Sequence, residues 1–89
     1  MRDIGEVWGR IKAHEGQVFK LVRGEPLTYR VDDNVLVTSR SRQELRIGDF
    51  EKVLALVPVK GPGEINQMVR GPSYIYAILD DPRICRGDW

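Results

Sequence analysis

The residues best suited to chemistry lie in the stretch "TSRSRQELR". Arg40, Arg42 and Arg46 fall close together there, interleaved with Ser39 and Ser41. Guanidinium and hydroxyl groups both suit phosphate oxygens, which accept bidentate hydrogen bonds from arginine. If a strand runs on through this stretch, its two-residue period puts Arg40 and Arg42 on one face. Lys60 and Arg70 can join from neighbouring loops. Residues 37–73 hold six Lys/Arg against four Asp/Glu, a small basic bias. The competing account is a solvated strand end whose arginines pair with Glu44, Asp49 and Glu51, since exposed ion pairs are common and contribute little.

Other reactive types are sparse. His14 is the only histidine and Cys85 the only cysteine, so neither a catalytic triad nor a cysteine-based metal site is spelled out. His14, near the end of a helical pattern, suits the terminal carbonyls. The "KGPGE" stretch lacks the Lys-Ser/Thr that follows a phosphate-binding loop. Asp80 and Asp81 are adjacent, and adjacent helix positions do not face each other. Arg86-Gly87-Asp88 spells a short adhesion tripeptide, a match too common to carry weight. The expectation is a protein with no catalytic residues, no metal and no cofactor.

A second stretch, "EINQMVRGPSYIYAIL", bears on nucleic acid. Glu64-Ile65, Gly71, Ser73 and Ile78-Leu79 occur in the order seen in helix-turn-helix units, which this segment resembles over residues 64–79. The interval from Glu64 to Gly71 is longer than the usual pattern, and that from Gly71 to Leu79 is shorter. The resemblance implies that one helix braces a second whose first residues, Ser73 and Tyr74, approach base edges. Tyr74 and Tyr76, two apart on a helix, point in different directions. An exposed tyrosine often marks a contact surface, so Tyr76 and the terminal Trp89 are candidates for contact with a protein partner.

Composition bounds these readings. The chain has 89 residues, 42% hydrophobic and 30% charged, with a formal net charge of +1. That is globular composition without the strongly basic balance of an obvious nucleic-acid binder. One domain spanning residues 1–89 is expected, with 83–89 as a flexible tail, because chain ends are poorly ordered unless tied down. The N-terminal segment has no apolar core of a signal peptide. No run reaches the roughly 18–20 apolar residues of a membrane span. The expected location is cytoplasmic.

The elements that must position these residues follow from period and punctuation. Asp3 to Glu6 reads as a capping box. Ile4, Val7, Trp8 and Ile11 then make one apolar stripe, predicting a helix over 4–14 that Gly16 stops in a left-handed conformation. Leu27, Tyr29 and Val31 alternate with polar residues, and Asp32-Asp33-Asn34 supplies a turn. Strands are predicted over 17–23, 27–31 and 35–39, as an antiparallel meander. Phe50, Val53, Leu54 and Val57 predict a second helix ended by Pro58. A short helical turn or helix over 64–69 and a helix begun by Pro72 and ended by Asp80-Asp81-Pro82 complete the chain.

The fold class is therefore α+β: a three-stranded antiparallel β-meander preceded by one helix and followed by two or three short helices. The predicted core is Val7, Trp8, Ile11, Tyr29, Val31, Phe50, Val53, Leu54, Ile75 and Leu79. Two functions fit. One is a small nucleic-acid-binding or regulatory domain using Arg40, Arg42, Arg46, Arg70, Ser73 and Tyr74. The other is a protein-interaction module or accessory subunit, with a homodimer as one form, that makes contact through Tyr76, Trp89 and a free sheet edge.

Overall fold

Residues 3–41 and 43–89 are described by a computed structural model. Asp3 caps helix α1 (Ile4–Ala13), its Oδ1 accepting from the Gly5 amide at 2.9 Å. Glu6 does not close the capping box but pairs with Arg10 at 3.2 Å. The predicted stripe is real: Val7, Trp8 and Ile11 are all buried. Gly16 has φ +84° and its amide donates to the Tyr29 carbonyl, so the chain turns directly into the sheet.

The strands divide in an unexpected way. A short hairpin pairs β1 (Phe19–Lys20) with β2 (Pro26–Leu27). A separate antiparallel sheet has the order β3 (Tyr29–Asp32), β4 (Val35–Thr38), β5 (Glu44–Arg46). The chain is α+β with the expected three-stranded antiparallel meander. Its strands are β3, β4 and β5 rather than 17–23, 27–31 and 35–39, and the first of those segments folds into the separate hairpin. Leu27 belongs to the hairpin and Tyr29 to the meander, with Thr28 as the switch. Pro26 lacks an N–H and helps end the pairing of the first hairpin. The third strand of the larger sheet comes from the arginine stretch: Leu45 is fully buried between exposed Glu44 and Arg46, and pairs with Leu36. The β3–β4 turn matches expectation, with Asp33 at φ +56°.

Helix α2 (Ile47–Leu54) ends earlier than the sequence suggests. The Asp49 carboxylate accepts from the Arg46 amide, which starts the helix directly off β5. The backbone tightens after Leu54, where the Leu56 amide donates to Val53, so Pro58 is not what stops it. No α-helix forms over 64–69. A 3-10 turn (Pro62–Glu64) leads into bonds from Ile65 to Pro62 and from Met68 to Ile65, each spanning three residues. Buried Ile65 pins this loop.

Helix α3 (Pro72–Asp80) has proline in its first turn, as predicted. It is followed at once by α4 (Pro82–Cys85), whose cap is Asp81, accepting from the Arg83 amide at 2.9 Å. The stretch 83–89 is consequently not a free tail. Ile84 is fully buried. Arg10 donates to the Ile84 carbonyl at 2.8 Å and to Asp88 at 2.6 Å. The Trp89 indole donates to the Leu79 carbonyl at 3.0 Å and its ring packs on the core. These contacts offset the fraying expected of a chain end.

One hydrophobic core joins both sheets and all four helices. Every predicted core residue is buried except Val31, which is half-buried. Phe19, Leu27, Leu36, Leu45, Val57, Ile65, Ile78 and Ile84 complete it.

Tyr29 sits deep in this core and its hydroxyl donates to the Ile11 carbonyl at 2.6 Å. Burial pushes its phenol above the ordinary range, with Arg83 opposing and Asp81 and Glu15 adding to the rise. The folded state thus keeps a proton that the unfolded state releases at about pH 10. This contribution to stability is complete below that pH and is lost as pH climbs toward the folded value. Urea midpoints are expected to fall between about pH 10 and 11.5, and Tyr29→Phe should make that fall shallower. An equal slope in the variant would show that another group is responsible.

Candidate interaction surfaces

The arginines do not form one patch. Arg40 lies just past the end of β4, where its guanidinium donates to the Pro26 carbonyl and to Glu25, both at 3.2 Å. Glu25 takes the place of the expected partners Glu44, Asp49 and Glu51. Ser39 is engaged too, its Oγ accepting from the Thr28 amide at 3.1 Å. Arg46 pairs with Val35, at the opposite end of β4. Three residue steps along that strand separate the two ends by about 10 Å. Arg42 lies outside the described residues.

Arg46 and Arg70 do come together. They line an open depression of about 530 Å³ with Glu44, Asp49, Gln67, Met68 and Val69. Two guanidiniums and two carboxylates share this surface, so its charge is balanced. Ser73 is exposed at the start of α3, whereas Tyr74 is half-buried and packs against the core.

The segment that resembles a helix-turn-helix is built differently. Among the described residues the helical element before α3 is the 3-10 turn Pro62–Glu64, which shares only Glu64 with this segment. In α3, Ile75, Ala77, Ile78 and Leu79 are buried, Pro72, Tyr74 and Tyr76 are half-buried, and only Ser73 and Asp80 are exposed. A recognition helix needs a row of free side chains to enter a groove, and α3 spends its faces on the core.

His14 Nδ1 bonds the Arg10 carbonyl at 2.8 Å, as its place at a helix end suggests. Among the described residues no group of three or more His, Cys, Asp or Glu is placed to hold a metal ion. No helix among them is long and apolar enough to cross a membrane.

A surface the sequence reading passes over is better developed. The hairpin β1–β2 stands beside α3 and the start of α4, leaving a groove of about 540 Å³. Val18, Lys20 and Val22 line its hairpin wall. Tyr76, Ala77 and Asp80 line the helix wall, and Asp81, Pro82 and Arg83 close it. Val18 is 53% exposed and Val22 is 65% exposed, although both are large and apolar. Strand alternation explains why: Phe19 turns into the core, so Val18 and Lys20 fall on the other side of the chain.

Arg83 fixes this wall. Its guanidinium donates to both oxygens of Asp81 at 2.9 and 3.0 Å, to the Val18 carbonyl at 2.9 Å and to Gln17 at 3.2 Å. It also stacks over the Phe19 ring, 3.9 Å from the centroid. The hydrogen bonds from the Arg83 side chain hold the Asp81 carboxyl below the usual range, against the opposing effect of burial. These contacts link the start of the hairpin to the start of α4 at this end of the groove.

The two predicted contact aromatics take different roles. Tyr76 faces the groove and its hydroxyl reaches the Lys60 carbonyl at 3.4 Å. Burial, reinforced by nearby Asp80 and Glu64, raises its phenol pKa. Trp89 lines a small pocket with Val53, Val57, Val59 and Leu79, which Tyr76 and Asp80 also border.

Set against protein-family models, curated proteins and solved structures, the chain matches none.

Proposed function

We propose that the chain is a protein-interaction module that binds a partner through the groove between the β1–β2 hairpin and α3. The observation that carries this reading is the pair Val18 and Val22, each more than half exposed, on one wall of a groove whose other wall presents Tyr76 and Ala77. Single exposed apolar residues are ordinary, but clustered ones around a concavity mark contact sites. Tyrosine at such a place supplies a large, stiff contact with a polar tip. The opposite balance holds around Arg46 and Arg70, where Glu44 and Asp49 offset the positive charge that phosphate binding requires.

Selection of peptides from a displayed random library on immobilised protein tests the reading. Enriched peptides are expected to carry apolar residues, and Val22→Asp should abolish their binding while the melting temperature stays within about a degree, because exposed positions contribute little to stability. Absence of enrichment on the monomeric chain, or binding indifferent to Val22→Asp, would remove the groove as the site. The competing outcome is nucleic acid. Duplex binding whose log–log salt slope is about −2 and vanishes in the Arg46→Ala/Arg70→Ala double variant would place the function on the other surface, since each phosphate contact contributes about 0.9.

A further inference from the structure

We infer that the partner seated in this groove is a second copy of the same chain, related by a two-fold axis; this rests on the groove reading above. The argument is one of charge. Lys20 stands on the hairpin wall and Asp80 on the helix wall. Both are exposed, and neither belongs to a side-chain ion pair among the described residues. The other charges of the groove, Asp81 and Arg83, satisfy each other.

A partner surface of one sign would meet an unlike charge on one wall and a like charge on the other. A surface carrying the same cation and anion, turned by a two-fold axis, meets opposite charge at both. In such an isologous contact residue i meets j and j meets i. Lys20 of each copy then approaches Asp80 of the other. The same rotation lays each hairpin wall, with Val18 and Val22, against the helix wall of the other copy, with Tyr76 and Ala77, and covers the exposed apolar area of both. The net charge of +1 leaves little global repulsion to oppose association.

Charge reversal tests this, with sedimentation as the readout. The wild-type chain is expected to dimerise as its concentration rises into the micromolar range, and to dissociate more readily at high salt, since exposed pairs are screened. Lys20→Asp alone places like charges at both contacts, as does Asp80→Lys alone. Each single variant should self-associate at least roughly tenfold more weakly than the parent, because complementary rim charges become repulsive. The Lys20→Asp/Asp80→Lys double variant should recover the parent's dimerisation. An equimolar mixture of the two single variants should form a heterodimer more strongly than either forms a homodimer. Melting temperatures guard against misfolding, as both side chains are exposed.

A monomer at every concentration would overturn the inference. So would a dimer unaffected by either reversal, or a double variant no better than the singles. Peptides selected on the groove separate the two levels. If they still bind and still require Val22 while the chain stays monomeric, the groove stands and the second copy does not. If they fail as well, the groove reading falls with it.

Discussion

Phe50→Ala is expected to remove about 3–5 kcal/mol of stability, the largest loss from any single truncation considered for this chain. Phe50 is fully buried on α2. Its ring meets Trp8 of α1 edge to face, with centroids 5.3 Å apart and planes at 66°. Such pairs add about 0.5–1.5 kcal/mol beyond the area they bury. Truncation loses that contact and leaves a cavity between the two helices, which packing can only partly refill. Trp8 is itself tied down, its indole donating to the Asp33 carbonyl at 2.9 Å, so it cannot move freely to fill the space. A domain of this size has about 5–15 kcal/mol in total. Urea unfolding should therefore show the variant close to its limit, with Phe50→Leu losing much less. A midpoint shared with the parent would mean that the α1–α2 contact is not part of the cooperative core.

What the sequence discloses follows from how local the signals are. Helix α1 is legible because its cap, stripe and stop lie within fourteen residues. The β3–β4 hairpin is legible because alternation and an Asp-rich turn are adjacent. The identity of the strand on the other side of β4 is not local. Residues 17–23 have a better strand composition than "ELR", yet β5 takes the place because Leu45 can face Leu36 from there. A single leucine among charges gives too short a pattern to read alone. Asp81-Pro82 shows the ambiguity of punctuation: it stops α3, but it is equally the cap and first residue of α4. The arginines were near in sequence and are divided by the length of β4. Val18 and Lys20 flank buried Phe19, but the helix that turns this face into a groove arrives more than fifty residues later.

Gly71→Val is expected to destabilise the fold by about 3 kcal/mol, and the cause reinterprets the turn glycine of the helix-turn-helix resemblance. Gly71 has φ +61° and ψ +47°, the left-handed region. An L-residue there costs about 1–2 kcal/mol, and more when branched at Cβ. Space is short as well: an added Cβ would lie 3.0 Å from Gln43 Oε1, Leu45 Cδ2 and Tyr74 Cδ2. Relieving those contacts requires the Gln43, Leu45 and Tyr74 side chains to give by a few tenths of an ångström, and overpacking of this kind costs about 1–3 kcal/mol. Glycine is thus needed because the chain enters α3 while pressed against Leu45, whether or not any ligand is bound. Gly71→Ala should show a smaller loss of the same origin. Combining it with Leu45→Ala should give a total below the sum of the two single losses, since the truncated leucine no longer meets the new Cβ. Urea midpoints of the four proteins measure the coupling. Strict additivity would assign the cost to backbone conformation alone, and an unchanged midpoint for Gly71→Val would refute the close approach of α3 to β5.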